Sequence, residues 1–371
     1  VNLRTLRRPA SATALALSLA LTVAACGGDD EGDSAGSGSG GGSSLSGDLN
    51  GAGASSQQAA MQAWAVGFQD ANPDITVNYD AVGSGGGREQ FLAGGVLFAG
   101  SDAYLDEEEL TSSQERCAGD GGAIDLPHYI SPIAVVYNLP SVPELQLSPA
   151  TVAKIFNNQI TTWNDPAIAA DNPDAQLPST PITAVHRADD SGTTENFIEY
   201  LVANAEADFP YEPDGVWPAE GGEAAQQTSG VIQAVTAAEG AIGYADLSQA
   251  GELGTAALKV GEEYVAPSPE GAATALEASA LAEGRPEGDL AYEIDRTTTE
   301  AGAYPLFLVS YHVVCKQYES QEDADKVKAF MTYVGSEEGQ QAAAQQAGSA
   351  PISEGLREQI TEQVDAISAA G

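Results

Sequence analysis

Pro181–Thr194, PITAVHRADDSGTT, is an apolar, β-branched run (Pro181–His186) that gives way within a few residues to a turn rich in Ser, Gly and Thr. That is how a strand hands over to a helix. The start of a helix carries unpaired N–H groups and the positive end of the helix dipole, so such a turn can take an anion without a formal charge. Glycine allows close backbone approach and the hydroxyls add donors. Two other segments share the pattern: Gly51-Ala52-Gly53-Ala54-Ser55-Ser56 and Gly83-Ser84-Gly85-Gly86-Gly87. One such turn reads as an ordinary capped helix start; three in one chain point to an anion site.

Outward from these turns, short apolar runs alternate with helix-like stretches, which predicts an α/β fold. Strands are expected at Ile75–Tyr79, Val96–Ala99, Ile133–Leu139, Ala241–Tyr244 and Leu306–Val314, and a short helix at Arg88–Gly94. Ser148-Pro149 has the N-cap and first-turn proline of another helix. Asp323–Val334 and Ser336–Ala347 read as amphipathic helices, with a bland face of alanine and glutamine.

The 371 residues carry 14 Lys+Arg against 54 Asp+Glu, a net charge of −40. Nucleic acid and anionic lipid surfaces need clustered basic residues, so neither is expected as a main partner. Cys26, Cys117, Cys315, His128, His186 and His312 suggest no structural zinc site, and no metal or other cofactor is expected. Residues 1–25 read as an export signal, with Arg4, Arg7 and Arg8 ahead of a small-residue apolar stretch too short to span a bilayer. Val23-Ala24-Ala25-Cys26 resembles the bacterial lipobox, which implies cleavage before Cys26 and its lipidation. Residues 26–47 then form the lipidated cysteine and a Gly/Ser linker with a reach of about 25 Å. Gly32-Asp33-Ser34-Ala35-Gly36 has the spelling of a hydrolase nucleophile elbow but lies in this coil, without the strand and helix the motif requires.

Arg187 is one of six arginines after Cys26, and Asp189 stands two residues on. An arginine oriented by a carboxylate suits paired hydrogen bonds to a tetrahedral oxyanion; the same two residues also read as a surface ion pair. Asp102 follows the strand expected at Val96–Ala99, at the strand end where open α/β sheets place ligand groups. A carboxylate repels an anion unless the anion brings a proton to donate, which separates hydrogen phosphate from fully ionised sulfate.

With these motifs in order, the body resembles the lipid-anchored or periplasmic phosphate-binding proteins of bacterial phosphate ABC transporters, the PstS family. The likeness runs from about Leu49 to Gly348. It rests on the three turns, Gly100-Ser101-Asp102-Ala103, Ile155-Phe156, Ile160–Pro166 (ITTWNDP) and Gly240-Ala241-Ile242-Gly243-Tyr244. The resemblance implies a periplasmic-binding-protein-like fold of two α/β domains, joined by a hinge, with the ligand in the cleft between them. It places domain I at 48–130 and 300–371 and domain II at 131–299. The phosphate ligands it implies are Ser55, Ser56, Ser84, Asp102, Arg187, Ser191, Gly192 and Thr193, with Asp189 behind Arg187. It further implies a non-enzymatic monomer on the outer face of the cell membrane, with phosphate and ABC permease subunits as partners. A receptor for sulfate or molybdate and a phosphate-sensing surface lipoprotein are the alternatives. Two departures are local: family members often have Thr-Phe at Ser55-Ser56 and Gly at Asp190. In an exported chain with its other cysteine lipidated, a Cys117–Cys315 bridge is expected, with two buried free thiols the alternative.

Overall fold

The computed structural model describes residues 45–371; the signal segment, Cys26 and nearly all of the linker lie outside them. Nine strands build one sheet: β1 (Gly47–Gly53), β2 (Ile75–Asp80), β3 (Phe98–Ser101), β4 (Ala123–Tyr137), β5 (Thr183–Arg187), β6 (Glu223–Ala225), β7 (Ala241–Asp246), β8 (Gly254–Thr255) and β9 (Phe307–Cys315). Their spatial order is β2-β1-β3-β9-β4-β7-β5-β6, with β8 also on β4. Strands β1, β2 and β3 are mutually parallel, as are β5, β6 and β7, whereas β9 runs antiparallel to both β3 and β4. The helices that bear on the site are α1 (Gln58–Ala71), α2 (Ser84–Leu92), α3 (Glu107–Arg116), α4 (Pro149–Phe156), α5 (Gly192–Ala205), α6 (Gln227–Ala237), α7 (Gln321–Gly335) and α8 (Glu337–Ala347). None of the described helices is long and apolar enough to cross a membrane.

The central element is β4, fifteen residues long and buried throughout. Its first part pairs with β9 and its last, Ile133–Tyr137, with β7. It runs unbroken through residues 130 and 131, where the resemblance implies a domain boundary. Only Ile133–Leu139 is legible as a strand, because Asp125, Pro127, His128, Ser131 and Pro132 interrupt the apolar run before it. Three of these interruptions have an answer in the fold. The Asp125 carboxylate receives the Arg285 guanidinium at 2.7 Å, and the Nδ1 atoms of His128 and His312 face each other at 3.1 Å. Opposite Pro127 the register slips between Ser310 and Tyr311, a β-bulge that accommodates a residue without an N–H.

On α1, Met61, Trp64 and Phe68 recur at helical spacing and turn into the core. Trp64 meets the His312 ring at 5.5 Å between centroids and donates its Nε1–H to the Gly339 carbonyl at 2.8 Å, which docks α8 on α1. The face of α8 expected to be bland is structural. Gln340 is buried and donates to the carbonyls of His128 at 2.9 Å and Val334 at 3.0 Å. Ser148 caps α4 and Pro149 opens it.

Cys117, at the end of α3, is bonded to Cys315, the last residue of β9, across a separation of 198 positions. Closing so long a loop restricts the unfolded chain strongly. Replacing both cysteines by serine is expected to lower the unfolding free energy by about 2–5 kcal/mol. Urea titration checks this, and unchanged stability would show that the bridge adds nothing beyond the fold.

Candidate functional site

The three anion turns of the sequence come together, and a fourth joins them. Ser55 and Ser56 precede α1, Ser84 opens α2, Ser191 caps α5 with Gly192 and Thr193 in its first turn, and Thr228 lies in the first turn of α6. Two close approaches require glycine. A Cβ on Gly87 would lie 2.4 Å from the Gly53 Cα, so only glycine lets α2 rest on the end of β1. A Cβ on Gly192 would lie 2.8 Å from the Ser84 hydroxyl oxygen and 2.9 Å from the Asp102 Cβ. The start of α5 therefore touches both α2 and Asp102. The Gly83–Gly87 run is the first turn of α2 itself, which begins four residues before the Arg88–Gly94 helix read from sequence. Strand β3 likewise starts two residues beyond the expected Val96.

Asp102 is the hub. It follows β3, is 3% exposed, and its carboxylate accepts hydroxyl hydrogen bonds from three chain segments. Ser56 donates to Oδ1 at 2.7 Å and Oδ2 at 2.8 Å, Thr193 to Oδ2 at 2.7 Å, and Ser310 of β9 to Oδ1 at 2.6 Å. The Asp102 N–H donates to the Ser84 hydroxyl at 3.1 Å, and Asn196 Nδ2 to the Asp102 carbonyl at 2.8 Å. Neutral donors thus hold a buried carboxylate to which, among the described residues, no Lys or Arg side chain bonds.

Arg187 ends β5 and is 3% exposed. Its Nε donates to Asp189 Oδ1 at 2.8 Å and its Nη2 to Oδ2, a two-pronged pair. Asp189 also accepts the Gln227 N–H at 2.8 Å, which ties the pair to the start of α6. Burial acts to raise the Asp189 pKa, but the Arg187 hydrogen bonds and charge outweigh it and hold the carboxyl below its ordinary range. The Arg187 N–H donates to the Tyr244 hydroxyl at 3.2 Å, and that hydroxyl meets Thr194 Oγ1 at 2.7 Å. Tyr244 and Phe197 stack 4.3 Å apart beneath them. One residue beyond Thr194, burial pushes Glu195 up to about 7, with Glu199 adding to the effect and Arg88 opposing it.

Ser55 meets Thr228, with the hydroxyls 2.9 Å apart and the Thr228 N–H donating to Ser55 Oγ at 3.0 Å. The Ser191 hydroxyl caps α5 by accepting the Thr194 N–H at 3.3 Å. Asp190 is exposed, and a Cβ on Gly85 would fall 2.4 Å from its Oδ1, so this carboxylate lies over the first turn of α2. His186 stacks on Trp217 at 5.1 Å, and its Nδ1 lies 2.9 Å from the Arg187 carbonyl, with no hydrogen bond to a serine of the site.

Four contributors escape a sequence reading: Gln57, Gln227, Thr228 and Ser310. Gln227 and Thr228 start α6 without a glycine or a typical capping residue, and Gln227 takes a positive φ of 61°. For Ser310 a signal exists, the one serine inside the mainly apolar run Leu306–Val314.

The sheet with its converging helix starts defines the class: an α/β fold of the binding-protein type. The family model described as "PBP superfamily domain" matches residues 34–338. Among curated proteins, the chain is 34% identical over 290 residues to "Phosphate-binding protein PstS 3" of Mycobacterium leprae, covering 76% of this chain and 77% of that protein. It is 33% identical over 331 residues to "Phosphate-binding protein PstS 2" of Mycobacterium tuberculosis, covering 86% and 87%. The chain belongs to the PstS family of the periplasmic-binding-protein superfamily. Its fold also matches the solved structure of a phosphate-binding protein from Stenotrophomonas maltophilia, with a TM-score of 0.67 and 18% identity over 85% of this chain and 94% of that one.

The Arg187 and Asp189 side chains are 2% and 10% exposed, so removing one partner strands a buried charge. Asp189→Ala is expected to lower the unfolding free energy, without added anion, by about 3–5 kcal/mol. A loss below about 1 kcal/mol in urea titration would mean that Arg187 reaches water or another partner.

Proposed function

We propose that the protein is an extracytoplasmic receptor that captures inorganic phosphate and hands it to the permease subunits of an ABC transporter. The observation that carries this reading is the Asp102 carboxylate, buried among hydroxyl donors beside the paired Arg187. The names of the mycobacterial relatives, phosphate-binding proteins, agree with it.

In this reading phosphate sits where the four helix starts meet. Ser55, Ser84, Ser191 and the N–H groups of Ser56, Gly192 and Thr193 donate to its oxygens, as helix N-termini do for bound anions. Arg187, oriented by Asp189, supplies the one full positive charge. Ser56 and Thr193 turn their hydroxyls from Asp102 to the ligand, and Asp102 accepts the ligand's own proton in exchange. A fully ionised sulfate has no proton to give, so its oxygen would face a bare carboxylate; the sulfate and molybdate alternatives are disfavoured on this ground.

Residues 48–130 with 300–371 form one lobe and 131–299 the other, with β4 crossing between them as a hinge strand. Ser55 with Thr228 and Asp102 with Thr193 are then contacts that form as the lobes close. Lipidation at Cys26 holds the monomer at the outer face of the membrane. The role in this reading is binding rather than catalysis, in line with the names of the mycobacterial relatives.

Calorimetric titration of ligand-stripped protein tests this. Tight phosphate binding with sulfate silent is expected, and Asp102→Asn should cut the phosphate-to-sulfate affinity ratio at least tenfold. Folded protein that takes up no phosphate would overturn the reading.

A further inference from the structure

Three hydroxyls donate to Asp102, but they are not equivalent. Among the described residues, Ser56 and Thr193 bond through their hydroxyl oxygens to Asp102 alone, so each can turn away. Ser310 has a second partner: the Gln57 Nε2 donates to its oxygen. The same Nε2 donates to the Tyr311 carbonyl at 3.2 Å. A carbonyl can only accept, so it fixes which end of the Gln57 amide faces β9. The amide then fills a lone pair of the Ser310 oxygen, leaving the serine hydrogen for Asp102 Oδ1 at 2.6 Å. Gln57 and Ser310 are both fully buried, so water does not scramble this order.

Two further observations support a purpose. The Gln57 Oε1 is buried without a hydrogen-bond partner, a cost that flipping the amide would not relieve, because the oxygen would then meet the Tyr311 carbonyl. The register shift between Ser310 and Tyr311, where His128 of β4 is the extra residue, also falls at the two β9 residues that the Gln57 amide contacts.

We infer that Ser310, polarised by Gln57, is a positioning residue that holds Asp102 as a hydrogen-bond acceptor and thereby sets which oxyanion the site admits. This rests on the phosphate-receptor reading above. When phosphate arrives, Ser56 and Thr193 leave Asp102, and Ser310 remains as its fixed donor. With Oδ1 bonded from behind by Ser310, the carboxylate stays aligned to accept the ligand's proton. Without that donor its alignment is lost, which weakens phosphate, the anion with a proton to give, more than sulfate.

The test compares wild type with Ser310→Ala, Ser310→Thr and Gln57→Leu, titrating the ligand-stripped protein with phosphate and measuring sulfate by displacement at high concentration. Thermal melts confirm folding. Ser310→Ala is expected to reduce the phosphate-to-sulfate affinity ratio roughly tenfold or more, the scale of a hydrogen bond to a charged group. Ser310→Thr keeps the hydroxyl and should stay within a few-fold of wild type. Gln57→Leu should lower the ratio with Ser310 still present, and it carries the test if Ser310→Ala does not fold. An unchanged ratio, or an equal loss of both anions, would overturn the inference and leave only a packing role for Ser310. Wild type that binds no phosphate would be seen first and would remove the receptor reading, and this inference with it.

Discussion

A carboxylate 3% exposed, in a site whose arginine, Arg187, is already paired with another carboxylate, is the constraint around which this molecule is organised. Leaving Asp102 ionised there is costly unless its lone pairs are filled. The chain fills them with hydroxyls from three distant segments, Ser56 before α1, Thr193 on α5 and Ser310 on β9. Each segment must then be delivered to within hydrogen-bond reach. The glycine contacts at Gly87 and Gly192 serve that delivery.

The scaffold meets the demand through β4 and β9. Both are buried along their whole length, and the first part of β4 lies along β9 while its last lies along β7. Two of the polar residues that would otherwise break these strands are met from far along the chain, Asp125 by Arg285, which Asp289 shares, and His128 by His312. The disulfide from Cys117 to Cys315 fastens the end of β9 to α3. Burial pushes His128 down to about 3 and also lowers His312, so the pair is neutral over the physiological range and adds no charge to the core.

Much of this is legible in the residues. The strand-to-helix joints at Ser55-Ser56, Ser84 and Ser191–Thr193 could be placed because turn chemistry is local, and Asp102 because a strand end is a local feature too. The boundaries of α2 were less legible. Glycine has poor helix propensity, so the Gly83–Gly87 run reads as a loop, yet close packing on β1 makes those glycines the helix's first turn. The first half of β4 was hidden by its prolines and charged groups, whose partners come from far along the chain. Ser310 bonds to Asp102 across 208 positions and Ser55 to Thr228 across 173. No local pattern encodes such pairings; they become visible only when the sheet order is known.

The central claim is that Asp102 stays an acceptor and takes its hydrogen bond from the ligand. Neutron diffraction from deuterated crystals grown with phosphate tests it most directly, because it locates the hydrogen atoms themselves. The account predicts a deuteron bonded to a phosphate oxygen and directed at Asp102, with the Ser310 deuteron pointing at Oδ1. A deuteron bonded to Asp102 and directed at an unprotonated phosphate oxygen would contradict it.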